Sequence, residues 1–362
     1  MNCLLTAVVM PCLNEERTLE KTCRSLGFAD SLERASNAKL IIVDNGSTDA
    51  TLAIASDIQK NAEPGNVVIA QESERGYVPP RHRGNLVARE IASLAGISDS
   101  KVLILQADAD TSYSKEYVAE MRRVAERVPH PSFMLRAMTT YPPELQSECA
   151  SFLELCERID GPFEHLLTDH PDDVIVDDKA CGYRLSDYFT WGGHRREFAD
   201  WGDEIHSETT RLYIRALSFG CRAALVNNAI AIHSPRRLFE HPAIEFATSG
   251  YPRDSTWLRE WKQALESIDS MGCFEETSNL ALREAIRWRQ IHILALFGIL
   301  PLHVAHTLGK VTSLNGEEWS SRVTLPVRSV KFLRENVADM IIDSLVSAEQ
   351  AIGPHDENLG SL

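Results

Sequence analysis

The chain has 362 residues, more than the roughly 250 to 300 that usually share one hydrophobic core, which predicts one large domain with an extension or two domains. With 44% hydrophobic and 25% charged residues, its composition is that of a folded globular protein and excludes a disordered or fibrous chain. The net charge of −15 disfavours binding to nucleic acid or to an acidic lipid surface.

The eight cysteines are scattered along the sequence and form no Cys-x-x-Cys pair. This distribution predicts reduced thiols and a cytoplasmic protein. The N-terminus has neither a basic leader nor a small-residue cleavage site, so we expect no signal peptide.

The first 140 residues alternate short β-branched runs with amphipathic stretches, a pattern typical of βαβ units around a largely parallel sheet. The predicted strands are Leu4–Met10, Lys39–Val43, Asn66–Ala70, Val102–Gln106 and Ser132–Arg136. The predicted helices are Glu15–Leu26, Asp49–Gln59, Asn85–Ala95 and Ser114–Val128, with Asn14 and Ser47 or Thr48 as N-caps.

The pattern weakens after Tyr141 and becomes mostly helical beyond Pro242. The remaining predicted elements are a helix at Leu145–Ile159, a surface loop at Asp169–Lys179, a helix at Ile205–Leu217, a strand at Ala223–Ile232, and helices at Ser255–Ser270, Leu280–Leu296 and Ser329–Ala348. The apolar segment Ile291–Leu308 contains three histidines and a proline, so we expect a buried or interfacial helix instead of a membrane span.

Together these elements predict an α/β fold in which helices flank a mostly parallel sheet. The predicted domains are a ligand-binding domain over residues 1–240 and a mostly helical C-terminal extension over residues 241–362.

Polar residues gather directly after three of the predicted strands, at residues 11–16, 44–49 and 108–110. In open α/β sheets, ligands bind at the carboxyl ends of the strands. The three clusters therefore predict one binding site at this edge.

Asp108 and Asp110 follow a buried strand, and an extended backbone would point both carboxylates to the same side. Adjacent carboxylates repel each other, and a bound Mg²⁺ or Mn²⁺ would remove the repulsion while leaving positions open for phosphate oxygens. An acidic turn that caps the helix at Ser114 would give the same pattern, so the residues alone leave both interpretations open.

The order of these motifs resembles the glycosyltransferase family 2 enzymes, which have the GT-A fold and transfer a sugar from a nucleotide donor. The segments that carry the resemblance are residues 8–16, residues 41–49, Gly76–Gly84 before a predicted helix, and the Asp-x-Asp at 108–110. The resemblance covers about residues 4 to 235. It implies a metal-dependent glycosyltransferase, inverting in its usual form, that uses Mg²⁺ or Mn²⁺ and a nucleotide-sugar donor.

The resemblance also implies roles for individual side chains. The nucleoside would contact Pro11, Asn14, Glu15 and Asp44, and the donor diphosphate would contact Arg81, Arg83, Asp108, Arg236 and Arg237. The metal ion would be bound by Asp110 with Asp108 and His233. Solvated arginines and a structural histidine would explain the same residues.

In this family an Asp of a Glu-Asp pair at the start of a helix removes the proton from the acceptor hydroxyl. Matching Arg211 and Leu212 to that helix places Glu208 on the Glu and Thr209 on the Asp, so the sequence departs from the family here. We expect Glu208 to be the base, with Asp203 and Glu204 as the alternatives.

Trp191, Gly192 and Gly193 form a candidate acceptor or sugar pocket, because glycines allow close approach of the backbone and Trp offers a stacking face. A turn beside a core Trp explains them as well. The segment Ser234–Trp257 is a candidate lid over the donor.

Three other functions compete with glycosyl transfer. The altered Glu-Asp pair is compatible with a noncatalytic sugar-nucleotide-binding or scaffold protein on the same fold. A haloacid-dehalogenase-like phosphatase would also place two Asp after a strand, but three strands precede Asp108 and Ser112 departs from that motif. A nucleotidyltransferase would need a Gly-rich basic loop after the first strand, and residues 11–16 contain no glycine.

The sequence does not indicate the acceptor, which could be a saccharide, a lipid-linked molecule or a small molecule. Peripheral membrane association and homo-oligomerisation also stay open.

Overall fold

The computed structural model describes residues 4–29, 38–143, 145, 149–167, 173–198, 202, 204–248, 280–310, 323 and 325–353. The predicted helix Ser255–Ser270 and the candidate base Asp203 lie outside these ranges. So do the first four residues of the predicted loop Asp169–Lys179 and the last nine of the predicted lid Ser234–Trp257.

An eight-stranded sheet organises the N-terminal part of the chain. Its strands are β1 (Leu5–Cys12), β2 (Ala38–Asp44), β3 (Val67–Gln71), β4 (Val102–Gln106), β5 (Ser112–Tyr113), β6 (Phe133–Thr140), β7 (Cys181–Arg184) and β8 (Arg222–Ile232), in the order β3-β2-β1-β4-β7-β6-β8-β5. All six predicted strands are confirmed, β4 with the predicted bounds and the other five with shifted ends, whereas β5 and β7 were not predicted.

The direction of the strands decides where the site lies. β1 pairs in parallel with β2 and β4, and β6 pairs in parallel with β8. β7 runs antiparallel to both β4 and β6. The carboxyl ends of β1, β2, β4, β6 and β8 therefore lie at one edge of the sheet, and the amino end of β7 lies there too.

Helices flank the sheet and make up the C-terminal part. They are α1 (Leu19–Ser25), α2 (Thr51–Asn61), α3 (Val78–Leu94), α4 (Tyr117–Ala125), α5 (Ala150–Asp160), α6 (Glu164–Leu167), α7 (Leu185–Thr190), α8 (Glu208–Leu217), α9 (Arg236–Glu240), α10 (Pro242–Thr248), α11 (Leu280–Ile293), α12 (Leu300–Thr307), α13 (Val330–Glu335) and α14 (Val337–Ile352). A π-helical segment, Leu294–Ile299, joins α11 to α12. The predicted α/β class with C-terminal helices is confirmed.

The core forms on both faces of the sheet because alternate strand residues point to opposite sides. In β1, Val8 and Met10 are buried in one hydrophobic cluster, and Ala7 and Val9 are buried in the other. Strands buried on both faces read as continuous apolar runs, which is why their positions could be predicted.

Helix α3 begins at Val78, seven residues before the predicted start at Asn85. Pro79 and Pro80 occupy its first turn, where the missing N–H of proline loses no helical hydrogen bond. Arg81 and Arg83 therefore lie on a helix, and residues two apart on a helix point about 200° apart.

The predicted N-caps are wrong. The residues that precede α1 and α2 are Thr18 and Ala50, and neither makes a side-chain capping hydrogen bond. Asn14, Ser47 and Thr48 are instead bonded to each other between two loops.

The chain divides into two compact units that alternate along the sequence. The first comprises residues 1–142, 176–196 and 208–234, and the second comprises residues 143–175, 197–207 and 235–362. The sequence predicted a single boundary at residue 240. The structure differs because α5 packs with the C-terminal helices, where Arg289 of α11 pairs with Asp160 at 2.6 Å.

One helical stretch among the described residues, Leu282–Thr307, is long and apolar enough to cross a membrane by length and composition. Within its most apolar 18-residue window, 78% is buried inside the protein, and a single such helix is weak evidence for a membrane span. The burial confirms the buried helix that the sequence predicted around Ile291–Leu308.

Candidate active site

The loops that follow β1 and β2 are joined by hydrogen bonds. The Asn14 N–H donates to Ser47 Oγ (3.0 Å), and the Thr48 N–H donates to Asn14 Oδ1 (2.8 Å). The Glu15 N–H donates to Thr51 Oγ1 (2.7 Å). Asn14 adopts the left-handed backbone conformation, with φ 57°, which Asn tolerates better than most residues. Two of the predicted clusters therefore form one interlocked surface at the carboxyl edge.

Asp44 ends β2, and its buried carboxylate is directed into the turn that follows. It accepts hydrogen bonds from the Gly46 N–H (3.3 Å) and the Ser47 N–H (3.1 Å). Pro11 lies beside it near the end of β1, where it is paired with Val43. The structure thus places Pro11 and Asp44 at the predicted edge, and their contacts with a nucleoside stay a prediction.

Arg81 lies at the centre of a group of acidic side chains. Its Nε donates to Glu208 Oε1 (2.8 Å), its Nη1 to Gln106 Oε1 (3.2 Å), and its Nη2 to Asp108 Oδ1 (2.8 Å). Asp178 Oδ2 lies 3.9 Å from the same Nη2. Burial alone would lower the pKa of Arg81, but the neighbouring carboxylates raise it well above its usual value. Arg81 therefore stays charged and holds the carboxylates in place.

This position differs from the predicted contact of Arg81 with the donor phosphates. Arg83, two residues later, pairs with Glu90 (3.2 Å) and is half-buried. Arg236 and Arg237 lie in α9, in the second unit. Of these predicted arginines, the structure brings Arg81 to the carboxylates at the sheet edge.

Residues 177–179 belong to the site, although the sequence assigned them to the surface loop Asp169–Lys179. That assignment is wrong for the described half of the loop, since Val174–Val176 are buried and Asp178–Ala180 form a 3₁₀ turn. The turn enters β7, whose antiparallel direction puts its start beside the end of β4. The signal in the sequence was the β-branched run directly before the acidic pair.

The two aspartates of this turn differ in charge. Lys179 Nζ lies 2.8 Å from each carboxylate oxygen of Asp177. Burial raises the pKa of Asp177, but the attraction of Lys179, the largest of several opposing effects, brings it below its usual value. Burial and then the charge of Glu208 raise the pKa of Asp178 to about 7. Asp177 is therefore stabilised in its ionised form, while Asp178 binds a proton more readily than an ordinary aspartate.

Asp108 and Asp110 lie in a turn after β4. The Thr111 N–H donates to the Asp108 carbonyl oxygen (3.4 Å), so the extended backbone expected here is not formed. Both side chains are partly exposed at the carboxyl edge of the sheet. The Asp108 carboxylate accepts its hydrogen bond from Arg81 on one oxygen.

His233 follows β8 and stacks on Tyr141, with ring centroids 4.9 Å apart. Its Nε2 lies 3.7 Å from Asp177 Oδ2. Burial, followed by the charge of Lys179, lowers the pKa of His233 to about 4. The imidazole is therefore neutral at pH 7, which is the form that binds metal ions.

Asp108, Asp110 and His233 carry donor atoms of the kind that bind a divalent cation. Carboxylate oxygens from Asp108 and Asp110 and a neutral nitrogen from His233 are ligands that Mg²⁺ or Mn²⁺ accepts. Among the described residues, however, no group of three His, Cys, Asp or Glu side chains is placed to hold an ion. The predicted three-residue ligand set is thus not assembled by the protein alone, and oxygens of a bound donor would have to complete it.

The candidate bases fall in different places. Glu208 begins α8 and its side chain is 4% exposed, with Arg81 Nε against it. The next residue, Thr209, is buried, and its Oγ1 lies 3.1 Å from His194 Nε2. Glu204 lies in the second unit, in an isolated bridge with Phe198.

The predicted stacking role of Trp191 is wrong, because its side chain is 1% exposed. Its indole packs edge-on against Tyr183 in the core, with ring centroids 6.1 Å apart. Gly192 and Gly193 follow with φ of 84° and 66°, and a Cβ on Gly193 would lie 3.1 Å from the ring of Tyr188. The two glycines are therefore explained by a left-handed turn packed closely on a tyrosine.

The edge combines interlocked loops that expose backbone and amide groups, carboxylates of different protonation state, and a neutral imidazole. Such a set can bind a ligand rich in hydroxyl and phosphate groups and can accept a proton near neutral pH. The fold and the site together define an α/β protein with a polar ligand-binding edge at the carboxyl ends of its strands.

Comparisons with known proteins agree with this class. Residues 7–148 match the model of Glycosyl transferase family 2. This segment supplies both interlocked loops, Arg81 and the turn that carries Asp108 and Asp110. Residues 7–148 are therefore similar to glycosyl transferase family 2, over less than half of the chain.

No curated protein matches the sequence. Among solved structures, the chain is similar to S. aureus TarS 1-349 in complex with UDP, with 14% identity over 95% of this chain and 90% of that chain and a TM-score of 0.43. It is also similar to the mannosyltransferase PcManGT from Pyrobaculum calidifontis in complex with GDP-Man and Mn²⁺, with 12% identity over 96% and 86% of the two chains and a TM-score of 0.47. At these values neither similarity defines the donor or the acceptor of this chain.

Proposed function

We propose that this chain is a glycosyltransferase that moves a sugar from a nucleoside-diphosphate donor to an acceptor hydroxyl in a metal-dependent, inverting reaction in the cytoplasm. One observation carries the proposal. The loops matched by the family model and the carboxylates held by Arg81 lie at the same edge of the sheet. The acceptor would be a saccharide, a lipid-linked molecule or a small molecule.

The loops after β1 and β2 would bind the nucleoside. Asn14 is exposed at the surface, and its hydrogen bonds to Ser47 and Thr48 fix the shape of that surface before a ligand arrives. Asp44 and Glu15 stabilise the same loops through their hydrogen bonds to Gly46, Ser47 and Thr51, and Pro11 lies beside them at the end of β1. A preformed surface loses less conformational entropy on binding, which favours affinity.

Asp110, with Asp108 and His233, would hold Mg²⁺ or Mn²⁺ together with donor phosphate oxygens. The ion would neutralise the negative charge that develops on the departing diphosphate. Arg81 fixes the Asp108 carboxylate through its Nη2, and a carboxylate has further lone pairs that can bind a cation.

The chain's own residues must also take the proton of the acceptor hydroxyl. Glu208 and Asp178 are two carboxylates that face each other across Arg81 and lie beside this edge. Whichever of the two is the base must be ionised before the reaction, and it carries the acceptor proton afterwards.

The thermal stability of the purified chain with a panel of nucleoside diphosphates, each with and without Mn²⁺, tests the proposal. A ligand at about a hundred times its dissociation constant stabilises by roughly 2.7 kcal/mol, which raises the Tm of a chain this long by roughly 3 to 4 °C. We expect one diphosphate to stabilise the wild type with Mn²⁺ and to lose most of this effect in Asp110→Ala.

Asp57→Ala is the matched control, because Asp57 is exposed on α2 and pairs with Lys60. It should keep the full response to diphosphate and Mn²⁺. The corresponding nucleotide-sugar should then release its diphosphate in the presence of the wild type. A folded wild type that responds to no nucleotide would overturn the proposal and favour a noncatalytic role.

A further inference from the structure

Four carboxylates from three segments lie near the carboxyl end of β4. They differ in exposure and in their distance from the nearest Lys or Arg side chain. They are Asp108, Asp177, Asp178 and Glu208. A general base must be reachable by the acceptor hydroxyl, and its proton affinity must match the working pH. These two requirements separate the four side chains.

Asp177 and Asp108 are held by close cations. Lys179 Nζ lies 2.8 Å from both oxygens of Asp177, and Arg81 Nη2 lies 2.8 Å from Asp108 Oδ1. A carboxylate in such a pair gains stability in its ionised form, so it is a weak proton acceptor.

Glu208 fails the requirement of access. Its side chain is 4% exposed, and Arg81 Nε donates to it at 2.8 Å. A substrate hydroxyl would have to displace part of the core to reach this carboxylate. Glu208 is therefore suited to hold Arg81 in place and not to contact an acceptor.

Asp178 meets both requirements. Its side chain is 26% exposed, and its distance to Arg81 Nη2 is 3.9 Å, beyond a hydrogen bond. Its Oδ1 is buried without a hydrogen-bond partner among the described residues, so we expect a hydroxyl to approach the other carboxylate oxygen, Oδ2. The 3₁₀ turn before β7 fixes its backbone at the edge where Asp108 lies.

The charges around Asp178 come from every element packed against it. They are Glu208 on α8, Arg81 on α3, Asp108 after β4 and Lys179 in the 3₁₀ turn. The Cys181 thiol at the start of β7 also lies nearby, and burial raises its pKa well above the usual value, so it is neutral. Burial and the charge of Glu208 raise the pKa of Asp178 to about 7, while Arg81 and a hydrogen bond from Thr209 act against this rise. Its proton affinity is therefore set for exchange near neutral pH.

We infer that Asp178 is the catalytic base that contacts the acceptor hydroxyl in the proposed glycosyl transfer, and this inference rests on that proposed function. The O–H bond of the acceptor breaks and its proton passes to the Asp178 carboxylate. The acceptor oxygen forms a bond to the anomeric carbon, and the bond from that carbon to the diphosphate oxygen breaks. Its electron pair leaves with the nucleoside diphosphate.

Release of nucleoside diphosphate from the donor, with water as the acceptor, tests this assignment in the full chain. We expect Asp178→Asn to lower kcat about 100-fold or more, since general bases contribute this much, while the donor Kd changes less than about threefold. Asp187→Asn is the matched control. Burial raises the pKa of Asp187 to about 6, but it faces Phe133 and Ser132 at the other end of the sheet, so its variant should keep wild-type kcat.

The pH profile distinguishes a base from a structural carboxylate. In the wild type kcat/KM should rise with pH through an apparent pKa near 7, the value for Asp178. Glu208→Gln removes the charge that raises this pKa, so the rise should move to lower pH while measurable turnover persists. If instead Glu208→Gln abolishes turnover and Asp178→Asn does not, Glu208 is the base and the inference is overturned.

Stability against pH gives a readout that needs no donor. Because the pKa of Asp178 is higher in the folded chain than its ordinary value of 3.8, its contribution to stability is present at low pH and is lost as pH rises toward 7. Asp178→Asn should therefore gain stability relative to the wild type between about pH 4 and pH 7. A constant difference across this range would contradict the inference. A wild type that turns over no nucleotide-sugar would instead overturn the proposed function and the base assignment with it.

Discussion

A single buried arginine sets the arrangement of the site. Arg81 and Glu208 are 127 residues apart in sequence, and each is shielded from water where they meet. Burying two charges costs several kcal/mol that their mutual attraction only partly offsets, so such a pair is weak evidence for stability in itself. Removing one partner is different, because the other charge is then buried without compensation.

Arg81→Met tests this reasoning. The variant keeps an apolar stem of similar length but leaves Glu208 buried without its cation, which should cost about 3 to 5 kcal/mol of the free energy of unfolding. Urea unfolding at pH 7, followed by tryptophan fluorescence, measures the loss.

Arg83→Met is the control, because Arg83 lies on the same helix and forms a partly exposed pair with Glu90. It should change stability by less than about 0.5 kcal/mol. The double variant Arg81→Met/Glu208→Gln should lose less than the two single variants added together. Equal effects of Arg81→Met and Arg83→Met would show that the buried pair has no special role.

Motif order was enough to find Asp108, Arg81 and Glu208, but it did not reveal that they touch. Contacts between residues 27 and 127 positions apart depend on strand order, which a single sequence does not encode locally. Asp178 was missed because a polar, Pro-containing stretch precedes it, and only the antiparallel direction of β7 brings it to the site. Trp191 was misassigned because residue type alone does not distinguish a core indole from an exposed one.

At the scale of elements, long buried strands were predictable and short or irregular elements were not. β1, β2 and β4 are continuous apolar runs, whereas β7 has four residues and is followed directly by α7. The start of α3 was missed because Pro79 and Pro80 suggest a loop unless they occupy the first helical turn.

Helix α3 carries Arg81 to the sheet edge, and this requires a close approach of the helix to β1. A Cβ on Gly84 would lie 2.2 Å from Val9 Cγ1 and 3.3 Å from Val43 Cγ2. Any side chain at this position must therefore push the helix away from the strands. The shift would also carry Arg81, which lies one turn earlier, away from its carboxylates.

Gly84→Ala should therefore destabilise the chain by about 1 to 3 kcal/mol, although alanine is the better helix former. The free energy of unfolding measures the loss, and donor turnover should fall as well because Arg81 moves. Gly161→Ala is the control, since no atom lies within 4 Å of its Cβ position and its φ is −48°. Because Gly161 precedes Pro162 in a helical conformation, a small loss of less than about 1 kcal/mol is expected there, and an equally large loss at both glycines would contradict the argument.

At the scale of the whole molecule, the two compact units cannot be separated by one cut in the chain. Residues 143–175 lie between segments of the first unit, yet they belong to the second. There, Phe152 packs against Phe246 with ring centroids 5.8 Å apart, and Asp160 holds Arg289 with both oxygens. The C-terminal helices therefore cover apolar and charged groups that are encoded much earlier in the sequence.

Truncation after Ser234 should for this reason yield a poorly soluble protein, although every residue of the first unit is retained. The deletion removes Phe246 and also Gly298, where an added Cβ would lie only 3.2 Å from Leu166 Cδ1, and it leaves Asp160 without Arg289. Exposed apolar surface of this kind promotes aggregation. Light scattering and binding of a hydrophobic dye measure the effect against the full chain.

Substitution of Phe152 and Leu166, which the truncation exposes, should have opposite effects in the truncated and the full chain. Phe152→Ser/Leu166→Ser should improve the solubility of the truncated chain, because it removes apolar groups that have lost their cover. The same double substitution should destabilise the full chain by several kcal/mol, because there it removes buried packing. If the truncated chain is already soluble, binds no more dye than the full chain and gains nothing from the substitutions, the second unit does not depend on its C-terminal helices in the way the structure indicates.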